Sequence, residues 1–384
     1  MRLLSVAHSC VVSEYQKRMG EVAKYSDVDL TLLVPKYWPQ FNRRVDLEKE
    51  GDASYRILPV QPLTWGIRKN GLLNATHIYP GAKKIVESLR PDIIELWEEP
   101  FSAVTTQFIF WTRKTVPNSK IVFFSAQNVL KRYPFPFCAF EKYAYHHAQF
   151  AFLMNRKVIE VIRRKGYDKQ FVVLPLGVDA DIFRKKDTRH LKSMLGVKGF
   201  VVGFVGKITR QKGILHLIET VSQVNKNVQL LIVGDGELRD EAEQLIDGVG
   251  LRGRTIFIDG VAHSQIPDYL NCMDILVLPS LSFPHLKEQF GRVIIEGMAC
   301  EVPVIGSDSG EIPSTIGNAG LIFKEGDIRD LKEKIDALMR NRALRSSLAR
   351  RGRKRVLEHF TWKVIAEKQY RVYQELMRQR ACTI

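Results

Sequence analysis

"FVVGFVGKITRQKGILHLIETV", Phe200 to Val221, decides how the chain folds. Its first six residues are apolar or small without alternation, the pattern of a strand covered on both faces of a parallel sheet. Gly206 closes that strand and a basic loop follows. Ile214, Leu217, Ile218, Val221 and Val224 then fall at i, i+3, i+4, i+7 and i+10, one face of an amphipathic helix starting just after Lys212-Gly213. Strand, loop and helix in that order make one unit of a doubly wound α/β sheet.

The same unit recurs in both directions. "LLSVAHS", "DLTLLVP", "YRILPV", "DIIELW", "KIVFFSA" and "FAFLMN" precede it, and "VQLLIVG", "TIFIDG", "DILVLPS" and "VPVIGSD" follow, most separated by stretches with helical spacing. At 384 residues the chain exceeds what one core normally serves. Two Rossmann-like domains facing across a cleft are therefore predicted, with the seam at "LPLGVDADIF", Leu174 to Phe183, where an apolar strand gives way to Pro, Gly and polar residues. The expected division is residues 1–178 and 179–361. A closing helix over 362–384, with Val364, Ile365, Tyr370, Tyr373 and Leu376 near helical spacing, is expected to pack back on the first domain.

Composition narrows the function classes. No apolar run reaches the roughly 18 residues a membrane-spanning helix needs, and "MRLLSVAHSCVV" reads as a first strand rather than a leader. Cys10, Cys138, Cys272, Cys300 and Cys382 are odd in number and widely spaced, which argues against a disulfide framework or a zinc site and for the cytoplasm. A formal charge of +16 attracts anions: nucleotides, phospholipid surfaces or nucleic acid. No nucleic-acid module is recognisable, and no nucleic-acid partner is expected.

Ligands of open parallel sheets sit outside the carboxyl ends of strands. Gly206 ends one such strand and releases Lys207 and Lys212, two ammonium groups beside a helix N-terminus, suited to a diphosphate leaving with growing charge. "LIVGDGELRD", Leu231 to Asp240, has Arg239 where a dinucleotide fingerprint needs its third glycine, so it reads as a tight strand-to-helix turn. In "KEQFGRVIIEGMACEVPVIGSDSGEIP", Lys287 to Pro313, Phe290-Gly291 precedes a helix running to about Cys300. The amides of Gly291, Arg292, Val293 and Ile294 are placed to face an anion, with Glu288 and Glu296 on either side. Were the segment continuous helix, the two carboxylates would be separated by a rise of roughly 12 Å. That exceeds the roughly 5 to 9.5 Å of glycosidase pairs, and it matches a nucleotide sugar, with hexose at Glu288, ribose at Glu296 and diphosphate between.

The pattern P-x-x-x-E-x-F-G-x-x-x-x-E-x-M-A, followed by "PVI" and "GE", resembles the retaining glycosyltransferases of family 4, which have the GT-B fold. "FVGKITRQKG" is similar to their phosphate loop, with Lys207 at the family's arginine and Lys212 at its lysine. "LLIVGDGELR", "VLPLGVDADIF", "NCMDILVLPS" and "HFTWKVIAEKQY" resemble further family segments in the same order, so the likeness covers most of the chain. It implies transfer of a hexose from a nucleotide-diphosphate-sugar donor to a glycan or lipid-linked acceptor, with no cofactor and no essential metal. Retention is expected from same-face attack in which the leaving phosphate takes the acceptor's proton. Catalytic roles fall to Lys212, Lys207 and Glu288. Donor binding falls to Gly206, Phe290, Gly291, Arg292, Val293 and Glu296, with Val261 beside Gly260 near the base. Polysaccharide or cell-envelope biosynthesis is the implied setting.

The first half departs from the family. Its first loop is "HSCVVSEYQ", His8 to Gln16, in place of a Gly-Gly turn, and Gln127 stands where many members carry histidine. Ser9, Gln127 and Glu99 are the acceptor-side candidates, Glu99 from "LWEEPFS" at another strand end. "DVD" (Asp27 to Asp29) and "DAD" (Asp179 to Asp181) read as structural rather than metal-binding, and no metal ligand is assigned. Glu301 replaces a glycine common after the family's helix, so either it takes a strained left-handed cap or the helix ends differently. The basic runs and Phe135, Phe137 and Phe140 suit a peripheral contact with the inner, anionic face of a membrane. Two alternatives remain open: a basic nucleic-acid-binding protein, and a nucleotide-sugar-binding protein without catalysis.

Overall fold

Strand sequences that are apolar on both faces become the centres of two parallel sheets. The computed structural model describes residues 1–40, 43–48, 54–64 and 72–381; Cys382 and the two residues after it, within the expected closing helix, lie outside the described residues. The chain divides into two compact units, Met1–Pro175 with Trp362–Ile384, and Leu176–Thr361.

The first unit holds β1 (Arg2–Val6), β2 (Asp29–Val34), β3 (Tyr37–Gln40), β4 (Arg43–Asp46), β5 (Arg56–Pro59), β6 (Leu63–Thr64), β7 (His77–Ile78), β8 (Ile93–Leu96), β9 (Lys120–Ser125), β10 (Phe150–Leu153) and β11 (Gln170–Val173). Seven of them form a sheet in the order β11-β10-β9-β8-β1-β2-β5, every pairing parallel. β3 with β4 and β6 with β7 make two short antiparallel pairs beside it. The chain runs outward from β1 through β2 to β5, then returns to the other side of β1 at β8. The topological switch of this sheet therefore lies between β1 and β8, where a ligand crevice forms in open α/β sheets.

The second unit holds β12 (Phe200–Val205), β13 (Val228–Val233), β14 (Thr255–Ile258), β15 (Ile275–Leu278), β16 (Val304–Ser307) and β17 (Leu321–Phe323). Their order is β14-β13-β12-β15-β16-β17, again all parallel. Its switch lies between β12 and β15. The helix Ile214–Ser222 turns Ile214, Leu217, Ile218 and Val221 into the core beneath the sheet, as their spacing requires. Full burial of each such side chain contributes roughly 1.5–3 kcal/mol.

The helix Trp362–Ala381 belongs to the first unit. Ile365, Ala366, Val372, Tyr373 and Leu376 join the core that contains Met19 and Val22 of the helix Ser13–Ala23. Trp362 Nε1 donates to Glu14 Oε1 at 3.0 Å, and Tyr370 stacks on Tyr25 with centroids 3.7 Å apart while donating to Asp27 Oδ1 at 2.7 Å. That bond gives Asp27 of "DVD" a structural role. Asp179 of "DAD" likewise accepts from the amides of Asp181 and Ile182, closing a turn. Cys10, Cys138, Cys272 and Cys300 are free thiols. Among the described residues, no helix is long and apolar enough to cross a membrane.

After the helix Arg292–Ala299, Glu301 takes φ 57°, a left-handed conformation that costs a side-chain-bearing residue about 1–2 kcal/mol. Its 3.8 Å pairing with the exposed Lys185 returns little. Glu301→Gly is therefore expected to stabilise the Leu176–Thr361 unit by about 0.5–1 kcal/mol after the added freedom of the unfolded chain is counted. Thermal unfolding of the full chain reads this, and an unchanged or lowered transition would mean that the backbone relaxes without strain.

Candidate active site

In the second unit the switch point gathers the basic loop and the first carboxylate. The turn after β13 is zipped to the loop after β12: Gly206 N–H donates to Val233 O, Ile208 N–H to Asp235 O and Leu238 N–H to Ile208 O, each at 3.0 Å. The Gly-Asp-Gly stretch is thus a brace for the lysine loop. Ile208 is buried and anchors that loop, leaving Lys207 exposed. Partial desolvation of its ammonium at the loop and the neighbouring Lys212 pull Lys207 below the usual lysine range, against the opposing charge of Glu237. A second ammonium near enough to depress that of Lys207 leaves the loop poised for an anion.

Lys212 sits in a short 3-10 turn, Arg210–Lys212, that ends at Gly213. Gly213 has φ 66°, and a Cβ there would lie 1.9 Å from Pro279 O, so only glycine lets this loop press against the end of β15. The contact brings Lys212 Nζ to 2.6 Å from Glu288 Oε2. Ser280 Oγ donates to the same oxygen at 2.9 Å. Glu288 lies in a loop, not in helix, because the helix begins only at Arg292; the separation of roughly 12 Å that continuous helix would give does not describe this segment. The loop is held from the other side by Glu311 N–H, which donates to Glu288 O at 3.1 Å. Gly310 permits that approach: at φ 56°, its Cβ would fall 2.1 Å from the same oxygen.

Glu296 is in the helix and buried. Its Oε1 takes both His263 Nε2 at 2.8 Å and Arg292 Nε at 3.0 Å. Burial works to raise the carboxyl, but Arg292 and His263 outweigh it and hold the group below the usual carboxylate range. His263, two residues past Val261 in the loop after β14, was not singled out from the sequence, and its position at a strand end was the available signal. Val261 and Val293 are half-buried, and Gly291 takes φ 75° as the residue before the helix. Phe290 is buried and packs edge-on against Phe360, with centroids 5.8 Å apart, so its side chain supports the loop. The Ile294 amide donates back to Gly291 O at 2.8 Å, which removes it from the set expected to face an anion.

In the first unit, Ser9, Glu99 and Gln127 follow β1, β8 and β9, three adjacent strands. Ser9 lies in the 3-10 turn His8–Val11. Gln127 Nε2 donates to Tyr133 Oη at 2.9 Å. Glu99 accepts from Ser125 Oγ and from Ala126 N–H, both at 2.8 Å. Its neighbour Glu98 is buried against His8 and His77. Burial acts to raise the Glu98 carboxyl, and the two imidazoles overcome it, holding it at about 2.

Glu99 behaves oppositely: burial pushes its carboxyl from 4.5 up to about 7 despite the two donors. A folded value above the unfolded one means that the neutral form favours folding. This contribution is whole below about 4.5 and is lost as pH rises through about 7. The stability of the natural chain relative to Glu99→Gln is therefore expected to fall across that window. Unfolding temperatures of both proteins at pH 5 and 8 check it, and parallel pH profiles would refute the shift.

Residues 186–355 match the family described as "Glycosyl transferases group 1". The capsular polysaccharide biosynthesis glycosyltransferase CapM of Staphylococcus aureus is 33% identical over 188 residues, 47% of each chain. The chain thus spans about half the length of that relative. Among solved structures, sucrose-phosphate synthase from Thermosynechococcus elongatus has a TM-score of 0.77 at 21% identity, covering 99% of this chain and 100% of its own. Anabaena Alr3699/HepE in complex with UDP has a TM-score of 0.75 at 18% identity, covering 98% and 100%. Both likenesses cover nearly the whole chain, and the family match over residues 186–355 includes Lys207, Lys212, Glu288 and Glu296. Over residues 186–355 the chain is similar to the glycosyl transferases group 1, and it has the GT-B fold.

Proposed function

We propose that this protein is a retaining glycosyltransferase that moves a hexose from a nucleotide-diphosphate-sugar donor to a glycan or lipid-linked acceptor. The observation that carries the reading is the convergence of Lys207, Lys212, Ser280 and Glu288 at the switch point between β12 and β15. The lysines and the N-terminus of the helix Ile214–Ser222 take the diphosphate, Glu288 takes sugar hydroxyls, and Glu296, fixed by Arg292 and His263, takes the ribose. Gly206, Gly291, Arg292 and Val293 line the path between, with Val261 near the base. In the reaction the acceptor oxygen attacks the anomeric carbon on the face from which the phosphate departs. The carbon–phosphate-oxygen bond breaks, the new glycosidic bond forms, and the acceptor's proton passes to the leaving phosphate. The lysines carry the charge that develops, so this step asks nothing of a metal.

Uridine is the first base to test, since the HepE structure holds UDP. Ser9, Gln127 and Glu99 are proposed to meet the acceptor. Phe135 at 82% exposure and Leu130 at 50%, beside Lys131 and Arg132, support a peripheral contact with an anionic membrane on the cytoplasmic side.

Thermal unfolding with UDP, GDP, ADP and a short DNA duplex, each with chelator present, tests the reading. A ligand at 100 times its dissociation constant adds about 2.7 kcal/mol. Stabilisation by one nucleoside diphosphate, followed by its release from the matching sugar nucleotide when acceptor is added, is the expected result. Stabilisation by DNA alone would replace the reading with nucleic-acid binding. Nucleotide binding without turnover of any donor would reduce it to a non-catalytic nucleotide-sugar-binding protein.

A further inference from the structure

The switch point of the first sheet holds a cluster that the donor chemistry does not use. β1 delivers His8, β8 delivers Glu98 two residues past its end, and β7 begins with His77. His8 Nδ1 lies 2.6 Å from Glu98 Oε2 and 2.8 Å from Oε1, and His77 Nε2 lies 3.7 Å from Oε1. One ligand atom from each of the three residues can be chosen so that all lie within 4.8 Å of one another. Trp38 packs on both imidazoles, with centroids 4.7 and 4.9 Å away.

His77 is the telling member. It is completely buried, and neither ring nitrogen has a hydrogen-bond partner among the described residues. A packed apolar side chain would fill the same space without leaving polar atoms unmet. Pairing of His8 with Glu98 accounts for two members of the cluster; His77 adds a 3.7 Å charge contact to Glu98 that leaves both its ring nitrogens without a hydrogen bond. A cation coordinated by all three accounts for each of them.

We infer that His8, His77 and Glu98 form a binding site for a divalent transition metal, with Zn²⁺ the best match to two imidazoles and one carboxylate. Zinc takes nitrogen and carboxylate oxygen at roughly 2.0–2.2 Å and accepts three protein ligands with a fourth position left to water or another ligand. At those bond lengths tetrahedral ligand atoms stand roughly 3.3 Å apart. The His8–Glu98 contact would open slightly and His77 would move in by a small shift. His8, with a side chain 16% exposed, is the side from which the ion enters and the fourth position opens.

Bound there, the ion clips three segments together: the turn after β1, the start of β7 and the loop after β8. Ser9 and Glu99 are the next residues along two of those segments. The site therefore also fixes the backbone that presents two acceptor-side candidates, a consequence that rests on the glycosyl-transfer reading, whereas metal binding itself does not.

The test uses the full chain stripped with chelator and dialysed, titrated with Co²⁺ by visible absorption and with Zn²⁺ by competition against a chromophoric chelator. One equivalent is expected, with the Co²⁺ spectrum of imidazole and carboxylate ligation. His77→Phe, which fills the space without a ligand, and Glu98→Gln are each expected to weaken uptake at least about 100-fold, beyond the usual cost of losing an outer-shell partner. Unfolding of the natural chain should also shift upward with Zn²⁺ and return with chelator; this readout stands if a variant does not fold. Absence of stoichiometric uptake by the natural chain, or uptake unchanged in both variants, would overturn the site. Nucleotide binding measured on the same samples separates this outcome from a failure of the donor-site reading.

Discussion

Lys212→Ala is expected to lower kcat by about 10²–10³-fold, the loss that follows removal of a preorganised donor to a developing anion. The ammonium is aimed by the Gly213 turn and lies 2.6 Å from Glu288 Oε2. In the proposed reaction it faces a diphosphate whose charge grows as the anomeric bond breaks. An interaction that strengthens along the reaction path appears in kcat when it is lost, not in KM. The substitution also takes a cation from Glu288, so the sugar contact loosens with it. Glu296→Gln supplies the contrast. Its carboxylate is held by Arg292 and His263, and in the proposed site it meets a ribose that binds equally well before and during reaction. The donor KM should rise roughly 10–100-fold with kcat little changed, the range for hydrogen bonds to charged groups. Steady-state kinetics with the donor varied and acceptor saturating distinguishes the two. Equal, small effects from both substitutions would remove the phosphate role from Lys212 and the ribose role from Glu296.

The strands and their parallel class are legible because both sheet faces are covered, so "FVVGF" and "LLIV" carry continuous apolar runs that no other element type explains as well. β17 has three residues and β6 and β7 two each, too short to show any period. The helix face at Ile214, Leu217, Ile218 and Val221 is readable for the same reason. The partners of the charged groups are not. Lys212 meets Glu288 across 76 positions, His8 meets Glu98 across 90, and Arg18 meets Glu95 across 77. A period in sequence cannot encode a pair that only sheet order brings together. Hence Glu288 and Lys212 are found singly, by position at strand ends, while Ser280 and His263, which hold the carboxylates in place, go unread. Glu98 and Glu99 illustrate the same limit: adjacent in sequence, they face opposite environments, one beside two imidazoles and the other beside a hydroxyl and an amide.

Arg18→Met is expected to destabilise the Met1–Pro175 unit by about 3–5 kcal/mol, the cost of removing one partner from a buried ion pair. Arg18, on the helix Ser13–Ala23, puts Nη1 2.8 Å from Glu95 Oε1 and its guanidinium carbon 3.5 Å from the centre of the Trp97 ring. Glu95 is fully buried in β8 and also accepts from Ser5 Oγ of β1 and Gln369 Nε2 of the closing helix, both at 2.6 Å. One carboxylate thus ties two central strands to the helices at either end of the chain. Methionine replaces much of the lost volume, so the expected loss comes from a charge left in a dry interior with only neutral donors. The double variant Arg18→Met/Glu95→Gln removes that charge and retains an oxygen for Ser5. It should be more stable than the single variant by at least about 1 kcal/mol, a coupling that a volume effect would not produce. The described tryptophans, Trp38, Trp97, Trp111 and Trp362, belong to this unit, Trp65 lies outside the described residues, and the segment Leu176–Thr361 contains no tryptophan. Denaturant unfolding followed by tryptophan fluorescence therefore reports on it without contribution from the other. A single-variant loss below about 1 kcal/mol would place Arg18 in the range of surface pairs and deny the buried charge its role in holding the closing helix.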